Sequence, residues 1–382
     1  MTPKGFSCLG KFIGIKDDNK DFALIASDVE ATAAAVFTRS TFCGAPVILG
    51  KELIKKGRAQ AFFITSGISN VATGQEGINN ARKEMEAIGE ELGIDPELVL
   101  PNATGVIGVQ LPMNKILPAI PGCRDQLGTD NWEATAEAIM TTDTHAKLVR
   151  KQVGEATIIG MAKGAGMIEP NMATMLSFWV TDAEIPSDIL QPMLKRVVDK
   201  SYNRLSIDTD TSTSDTVAIM ANGLAGPVDL DAFETAFTEG AIDMAKQIVA
   251  DGEGATKLIE VVVSEAIDEE QAKVMAKSVV NSPLVKTAVY GADANWGRVA
   301  MALGKTFDPR LNPDLVKISF GEHTVYDKGA PTGIDDEPVE SYMKAADEVT
   351  ISVKLGLGEA ESTVWGCDLT EDYIKINALY RT

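Results

Sequence analysis

The sequence is short of histidine, cysteine, aromatic residues and positive charge. Of its 382 residues, 2 are histidine, 4 are cysteine and 6% are Phe, Trp or Tyr. Neither His145 nor His323 stands in a metal-binding spacing, and Cys8, Cys43, Cys123 and Cys367 contain no CxxC pair. A zinc site and a disulfide framework are therefore not expected, and free thiols fit a reducing, cytoplasmic setting. The opening Met-Thr-Pro-Lys-Gly-Phe lacks the apolar core of a signal peptide. No apolar run approaches the ~18 residues of a membrane span. Lys and Arg number 35 against 55 Asp and Glu, a net charge of −20. That balance argues against nucleic acid and against an anionic membrane surface, both of which need clustered cations.

Three familiar ligand motifs are also missing. Gly356-Leu-Gly358 follows a strand-like run, but Glu361 stands where a dinucleotide fingerprint needs its third glycine. Asp208-Thr-Asp210 starts like a calcium loop, yet Thr213 replaces the required glycine and Ile219 the terminal Glu. No segment carries the Gly-Lys-Ser/Thr of a phosphate-cradling loop. An enzyme of this composition has to find a nucleophile and a base almost without histidine.

What is present is an ordinary globular balance, 45% hydrophobic and 24% charged. At about 150 residues per unit the length suggests two or three folding units. No repeat, low-complexity tract or linker marks a boundary between them. Apolar runs predict strands at 60–65, 156–161, 176–180, 257–263, 316–320, 349–355 and 362–365. Helical spacing predicts helices over 78–92, 131–140, 187–198, 231–249 and 269–280, with Asn131, Ser187 and Asp231 at their starts. Strands and helices mixed this unevenly favour a layered α+β architecture over a doubly wound sheet.

Several segments stand out chemically. Between two predicted strands, Lys163-Gly-Ala-Gly-Met-Ile-Glu-Pro-Asn-Met-Ala-Thr-Met-Leu176 combines glycines, methionines and a proline. Composition alone favours a tight crossover there, with methionines filling the core. The same residues permit self-cleavage between Ala173 and Thr174, after which the Thr174 α-amine serves as base for its own hydroxyl. That chemistry needs no histidine. Asn102-Ala-Thr-Gly-Val-Ile-Gly108 reads as a strand turn, or as an oxyanion site using Thr104 and the backbone of Gly105. Asp251-Gly-Glu-Gly-Ala-Thr-Lys257 reads as a helix C-cap, or as a loop presenting Glu253 to a cationic amine. Asp208–Asp215 is most simply a turn and capping cluster, and His145 a surface residue.

Taken together, these segments resemble the ornithine acetyltransferase family of arginine biosynthesis, also called the bifunctional glutamate N-acetyltransferase family. The likeness runs almost end to end. It is carried by Thr104-Gly-Val-Ile-Gly108, Met140-Thr-Thr-Asp-Thr144, Gly160-Met-Ala-Lys-Gly-Ala-Gly-Met167, Pro170-Asn-Met-Ala-Thr-Met-Leu176 and Asp251-Gly-Glu-Gly-Ala-Thr-Lys257. Tyr290-Gly-Ala-Asp-Ala-Asn-Trp-Gly-Arg298 and Tyr373-Ile-Lys-Ile-Asn377 continue it. It is looser at Gly67–Gly74, where members usually carry Gly-Asn-Ala-Asn-Ala-Cys-Thr-Gly, and at Thr209, where they tend to have glycine.

The resemblance implies a layered α/β sandwich of the self-cleaving N-terminal-nucleophile type with a smaller second lobe. It implies an α chain of residues 1–173 and a β chain of 174–382, paired as an α2β2 heterotetramer. It implies Thr174 as nucleophile and Thr104 with Gly105 as oxyanion hole. Substrate contacts fall on Thr141 or Thr142, Lys163, Thr174, Glu253, Asn377 and Thr382. The implied reaction moves acetyl from N-acetylornithine to glutamate without a cofactor, with acetyl-CoA as a second donor left open. The alternatives are a paralogue with another acyl-amino acid or amine, and a hydrolase of the aminopeptidase kind.

Overall fold

The structure, a computed structural model, describes residues 2–169 and 175–379. Chain contacts divide it into two compact units, one of residues up to 203 with 211–248, the other of 204–210 with 249–379. The strands, in chain order, are β1 (Phe6–Lys11), β2 (Phe22–Phe37), β3 (Arg58–Ile68), β4 (Val99–Val106), β5 (Lys147–Val153), β6 (Ala156–Lys163), β7 (Leu176–Glu184), β8 (Leu205–Ser206) and β9 (Thr216–Pro227). They continue with β10 (Leu258–Ala266), β11 (Lys317–Phe320), β12 (His323–Asp327), β13 (Ala330–Pro331), β14 (Glu348–Lys354) and β15 (Ala360–Cys367).

In the first unit, the described residues form a mixed sheet of order β4-β3-β2-β9-β7-β6-β5, with β1 paired to β2. Apolar residues fill both faces, because neighbouring strand positions point to opposite sides. Phe22 and Leu24 of β2 share one core with Ala61 and Phe63 of β3 and with Ala81, Met85 and Ile88 of the helix Gly74–Leu92. Ala23 and Ile25 share the other with Phe62, Ile64 and the helix Trp132–Ile139. Ile78, Ala81, Met85 and Ile88 recur at helical spacing, and the helix stops at Gly93, whose φ of +71° suits glycine. Gly160 is needed for packing: a Cβ there would lie 2.4 Å from the ring of Trp179, its cross-strand partner.

The second unit holds a sheet of order β13-β12-β11-β14-β10-β15-β8. Its central strand β10 runs parallel to β14 and antiparallel to β15. Ile259, Val261 and Val263 pack there with Ala272, Met275 and Val279 of the helix Glu269–Val280. Asp268 caps that helix, accepting a 2.7 Å hydrogen bond from Gln271 N.

Each predicted strand and helix is present. The caps differ. Asn131 precedes its helix but does not cap it with its side chain, which instead donates to Cys8 O at 3.2 Å. Ser187 lies inside its helix after Pro186, and Asp229 rather than Asp231 accepts from the first amides of the helix Leu230–Ala250. Among the described residues, no helix is long and apolar enough to cross a membrane.

Candidate active site

Thr104 and Gly105 end β4, which runs parallel to β3 and pairs Thr104 with Ser66 and Gly105 with Gly67. Gly105 has φ of +125°, and a Cβ on it would lie 2.3 Å from Gly67 C and 2.4 Å from Gly67 O. Both the dihedral and the space require glycine, and a strand end without a side chain lets another group approach the backbone closely. Thr104 is buried. The next turn is pinned by Ser69, whose N–H and hydroxyl both donate to Val106 O, at 3.0 and 2.9 Å. Asn70, also buried, donates to Gly77 O and accepts from the Thr73 hydroxyl at 2.7 Å. The segment Gly67–Gly74 is thus a packed support beside the glycine end.

A second group gathers where the loop after the helix Trp132–Ile139 meets the end of β6. Lys163 Nζ donates to Thr141 Oγ1 at 3.2 Å, while Thr142 follows half-buried. Asp143 accepts from Thr141 N at 3.0 Å, from Gly164 N at 2.6 Å and from Lys147 Nζ at 2.7 Å. The side chains of Asp143 and Lys147 are both 0% exposed. Burial pushes the Asp143 carboxyl up, but the Lys147 and Lys163 ammoniums and the Gly164 N–H outweigh it and hold the group below the ordinary carboxylate range. Asp215, fully buried, behaves oppositely: burial drives its carboxyl well above the usual range, though Ser212 and Lys163 counter it.

Register places this group beside the start of β7. Lys163 pairs with Leu176, Leu176 with Thr216 of β9, and Thr216 N donates to Met175 O at 3.0 Å. Ala173, Thr174 and Thr382, expected at the cleavage point, nucleophile and substrate contact, lie outside the described residues.

In the second unit the structure brings Glu253 and Asn377 together. Asn377 Nδ2 donates to Glu253 Oε2 at 2.8 Å, and Glu253 is buried. Gly254 makes this approach possible: its φ is +70°, and a Cβ would lie 2.5 Å from Tyr373 N at the start of the helix Glu371–Leu379. Asp368 ties down the following residues, accepting from Thr256 N at 2.8 Å and Lys257 N at 3.1 Å. The tyrosine beside them, Tyr373, has its hydroxyl pKa raised by burial and by Asp208 and Glu253.

Sequence reasoning missed Asp143 and Lys147, although Asp143 lay inside a quoted motif and Lys147 four residues beyond it. An acid and a base at that spacing in a polar loop were the available signal. Asp215, buried, stood in a run read as a turn and capping cluster, and the loop residue Lys16 gave no signal. His145 is exposed, as expected. The four cysteines are unpaired, and burial pushes Cys8 up to about 12 and raises Cys123 and Cys367, so these three remain protonated thiols. Among the described residues, no group of three or more His, Cys, Asp or Glu is gathered to hold a metal ion.

Comparison with known proteins bears on the same residues. A family model described as the ArgJ family matches residues 7–382. The "arginine biosynthesis bifunctional protein ArgJ 2" of Clostridium acetobutylicum is 50% identical, covering 100% of this chain and 98% of its own. The "glutamate N-acetyltransferase Oat2" of Streptomyces clavuligerus is 46% identical over 100% of this chain and 98% of its own. A crystal structure of an arginine biosynthesis bifunctional protein from Bacillus halodurans is 44% identical with a TM-score of 0.50, covering 52% of this chain and 96% of that one.

Proposed function

Because the chain belongs to the ArgJ family, we propose that it is a self-processing acetyltransferase of arginine biosynthesis, moving acetyl from N-acetylornithine to glutamate. The observation that carries this reading is the match over residues 7–382 in a chain whose sequence retains the Ala173-Thr174 pair. Cleavage between those residues frees the Thr174 α-amine. Its hydroxyl attacks the acetyl carbonyl, the amine accepts the hydroxyl proton, and the amide C–N bond breaks as that proton passes to departing ornithine. Glutamate's amine then attacks the acetyl-threonine ester, and the oxygen released takes the proton back. The leaving groups exchange an amide for an amide, so the transfer is near energy-neutral and needs no cofactor.

Thr104, Gly105, Lys163 and Glu253 have roles in this reading that fit their surroundings. Thr104 and the backbone at Gly105 stabilise the tetrahedral oxyanion, where one donor elsewhere accounts for about 3–4 kcal/mol. Lys163 meets a substrate carboxylate, beside the hydroxyl of Thr141. Glu253 meets a substrate ammonium, oriented by Asn377. Acetyl-CoA as a second donor and an α2β2 assembly complete the reading. In the first sheet β7 and β9 lie between β2 and β6, so strands from residues after 173 are flanked on both sides by strands from before it. Such chains stay interlocked after cleavage. The Bacillus halodurans chain, matched over 96% of its own length, spans 52% of this one, in keeping with separate polypeptides.

The test is mass spectrometry of the purified protein with an ornithine-release assay. Two polypeptides, 1–173 and 174–382, and ornithine release that rises with added glutamate are expected. Thr174→Ala abolishes both cleavage and release. An uncleaved wild-type chain, or release indifferent to glutamate, overturns the reading.

A further inference from the structure

Lys16 lies on the loop between β1 and β2, far in sequence from every residue assigned so far. That loop is shaped by Asp21, which is fully buried and accepts from the N–H groups of Ile13, Ile15 and Lys16 at 2.7, 2.5 and 2.9 Å. The Lys16 stem crosses Gly67, the cross-strand partner of Gly105: a Cβ on Gly67 would lie 3.0 Å from Lys16 Cγ. Its tip donates to Met140 O at 3.0 Å, one residue before Thr141, whose hydroxyl takes a hydrogen bond from Lys163. Lys16 therefore runs from the glycine end of β4 to the group around Lys163.

The electrostatics there are unusual. Burial lowers the Lys16 pKa; Asp21 and Asp143 raise it, and Lys163 lowers it. Asp143 is already engaged by Lys147 and by Gly164 N. Lys16 and Lys163 are two half-buried ammoniums within each other's field, and a carboxylate placed between them lowers their repulsion. An ammonium has three N–H donors, and Met140 O takes one of those on Lys16.

We propose that Lys16 is a substrate-binding residue that receives the side-chain carboxylate of a dicarboxylic amino acid, next to the carboxylate held by Lys163. The assignment rests on the acetyl-transfer reading and names what selects the acceptor. Glutamate brings two carboxylates, whereas N-acetylornithine brings one and an amine, so Lys16 acts on the second half-reaction.

The experiment compares glutamate with glutamine as acceptor in wild type and in Lys16→Gln, which keeps a donor for Met140 O and drops the charge. Wild type is expected to prefer glutamate about 10-fold or more in KM, the scale of a charged hydrogen bond. In Lys16→Gln that preference collapses, the single-turnover burst of ornithine from N-acetylornithine measured without acceptor changes less than about three-fold, and Lys16→Arg recovers much of the preference. Wild type that does not distinguish glutamate from glutamine overturns the assignment without any variant. So does Lys16→Gln with the preference intact, or with both half-reactions weakened equally. Wild type that releases no ornithine at all instead overturns the acetyl-transfer reading, so the two failures are distinguishable.

Discussion

Asp143 and Glu84 are both buried carboxyl groups in the first unit, and their surroundings push them in opposite directions. Asp143 sits in a loop where Lys147, Lys163 and Gly164 N converge, and its carboxyl is held low. Glu84 sits on the helix Gly74–Leu92 with its Oε1 unpartnered, and burial alone pushes it up to about 8. Burial is the same force in both; the partners decide the sign of the outcome. Glu253 in the second unit is also buried, and the amide of Asn377 donates to it. The molecule thus spends two lysines on anchoring the loop beside Thr141, and none on Glu84.

The largest test removes the cation. Lys147→Met leaves Asp143 buried without its ion-pair partner and is expected to destabilise the protein by about 3–5 kcal/mol in denaturant unfolding. Adding Asp143→Leu should recover much of that loss, because an apolar pair replaces an uncompensated charge. A loss under about 1 kcal/mol in the single variant would erase the contrast with Glu84.

Next in size is the pH dependence of Glu84. Its folded pKa lies above the ordinary 4.5, at about 8, so the folded protein keeps a proton that the unfolded chain releases. The stability it contributes is complete below about pH 4.5 and is lost as pH rises through about 8. Between pH 5 and 7 the loss amounts to about 3 kcal/mol. Glu84→Gln should flatten that slope, read as unfolding free energy against pH; an unchanged slope would show that Glu84 finds a partner or water when ionised.

The smallest effect belongs to Asn377→Ala. One side-chain hydrogen bond is worth about 0.5–1.5 kcal/mol, expected as a several-fold rise in KM for ornithine in the reverse reaction with kcat nearly kept. A loss as large as that of Lys147→Met would place Asn377 in the same class as the buried ion pair.

Much of this was legible in the sequence. The helix over 269–280 follows from its spacing, and β6 and β7 from their apolar runs. The signatures around Thr104, Lys163, Glu253 and Asn377 are local strings, and each carries its chemistry in a few adjacent residues. The caps were misread for a physical reason. Asn131 and Asp231 have the right side chains at nearly the right places, but Asn131 finds a better partner in Cys8 O and Asp229 lies closer to the free amides.

The sequence by itself determined some of the elements, though not the central strands β2 and β9, that catalysis has to proceed almost without histidine, and which motifs mark the family. These are matters of composition, period and short strings. Tertiary structure alone decided that Gly105 faces Gly67 with no room for a Cβ, and that Asp143 is paired while Glu84 is not. It alone placed Lys16 beside residues 141 and 163. Those outcomes depend on which distant segments share a low-dielectric neighbourhood, and a charge's state is set by its neighbours in space rather than along the chain.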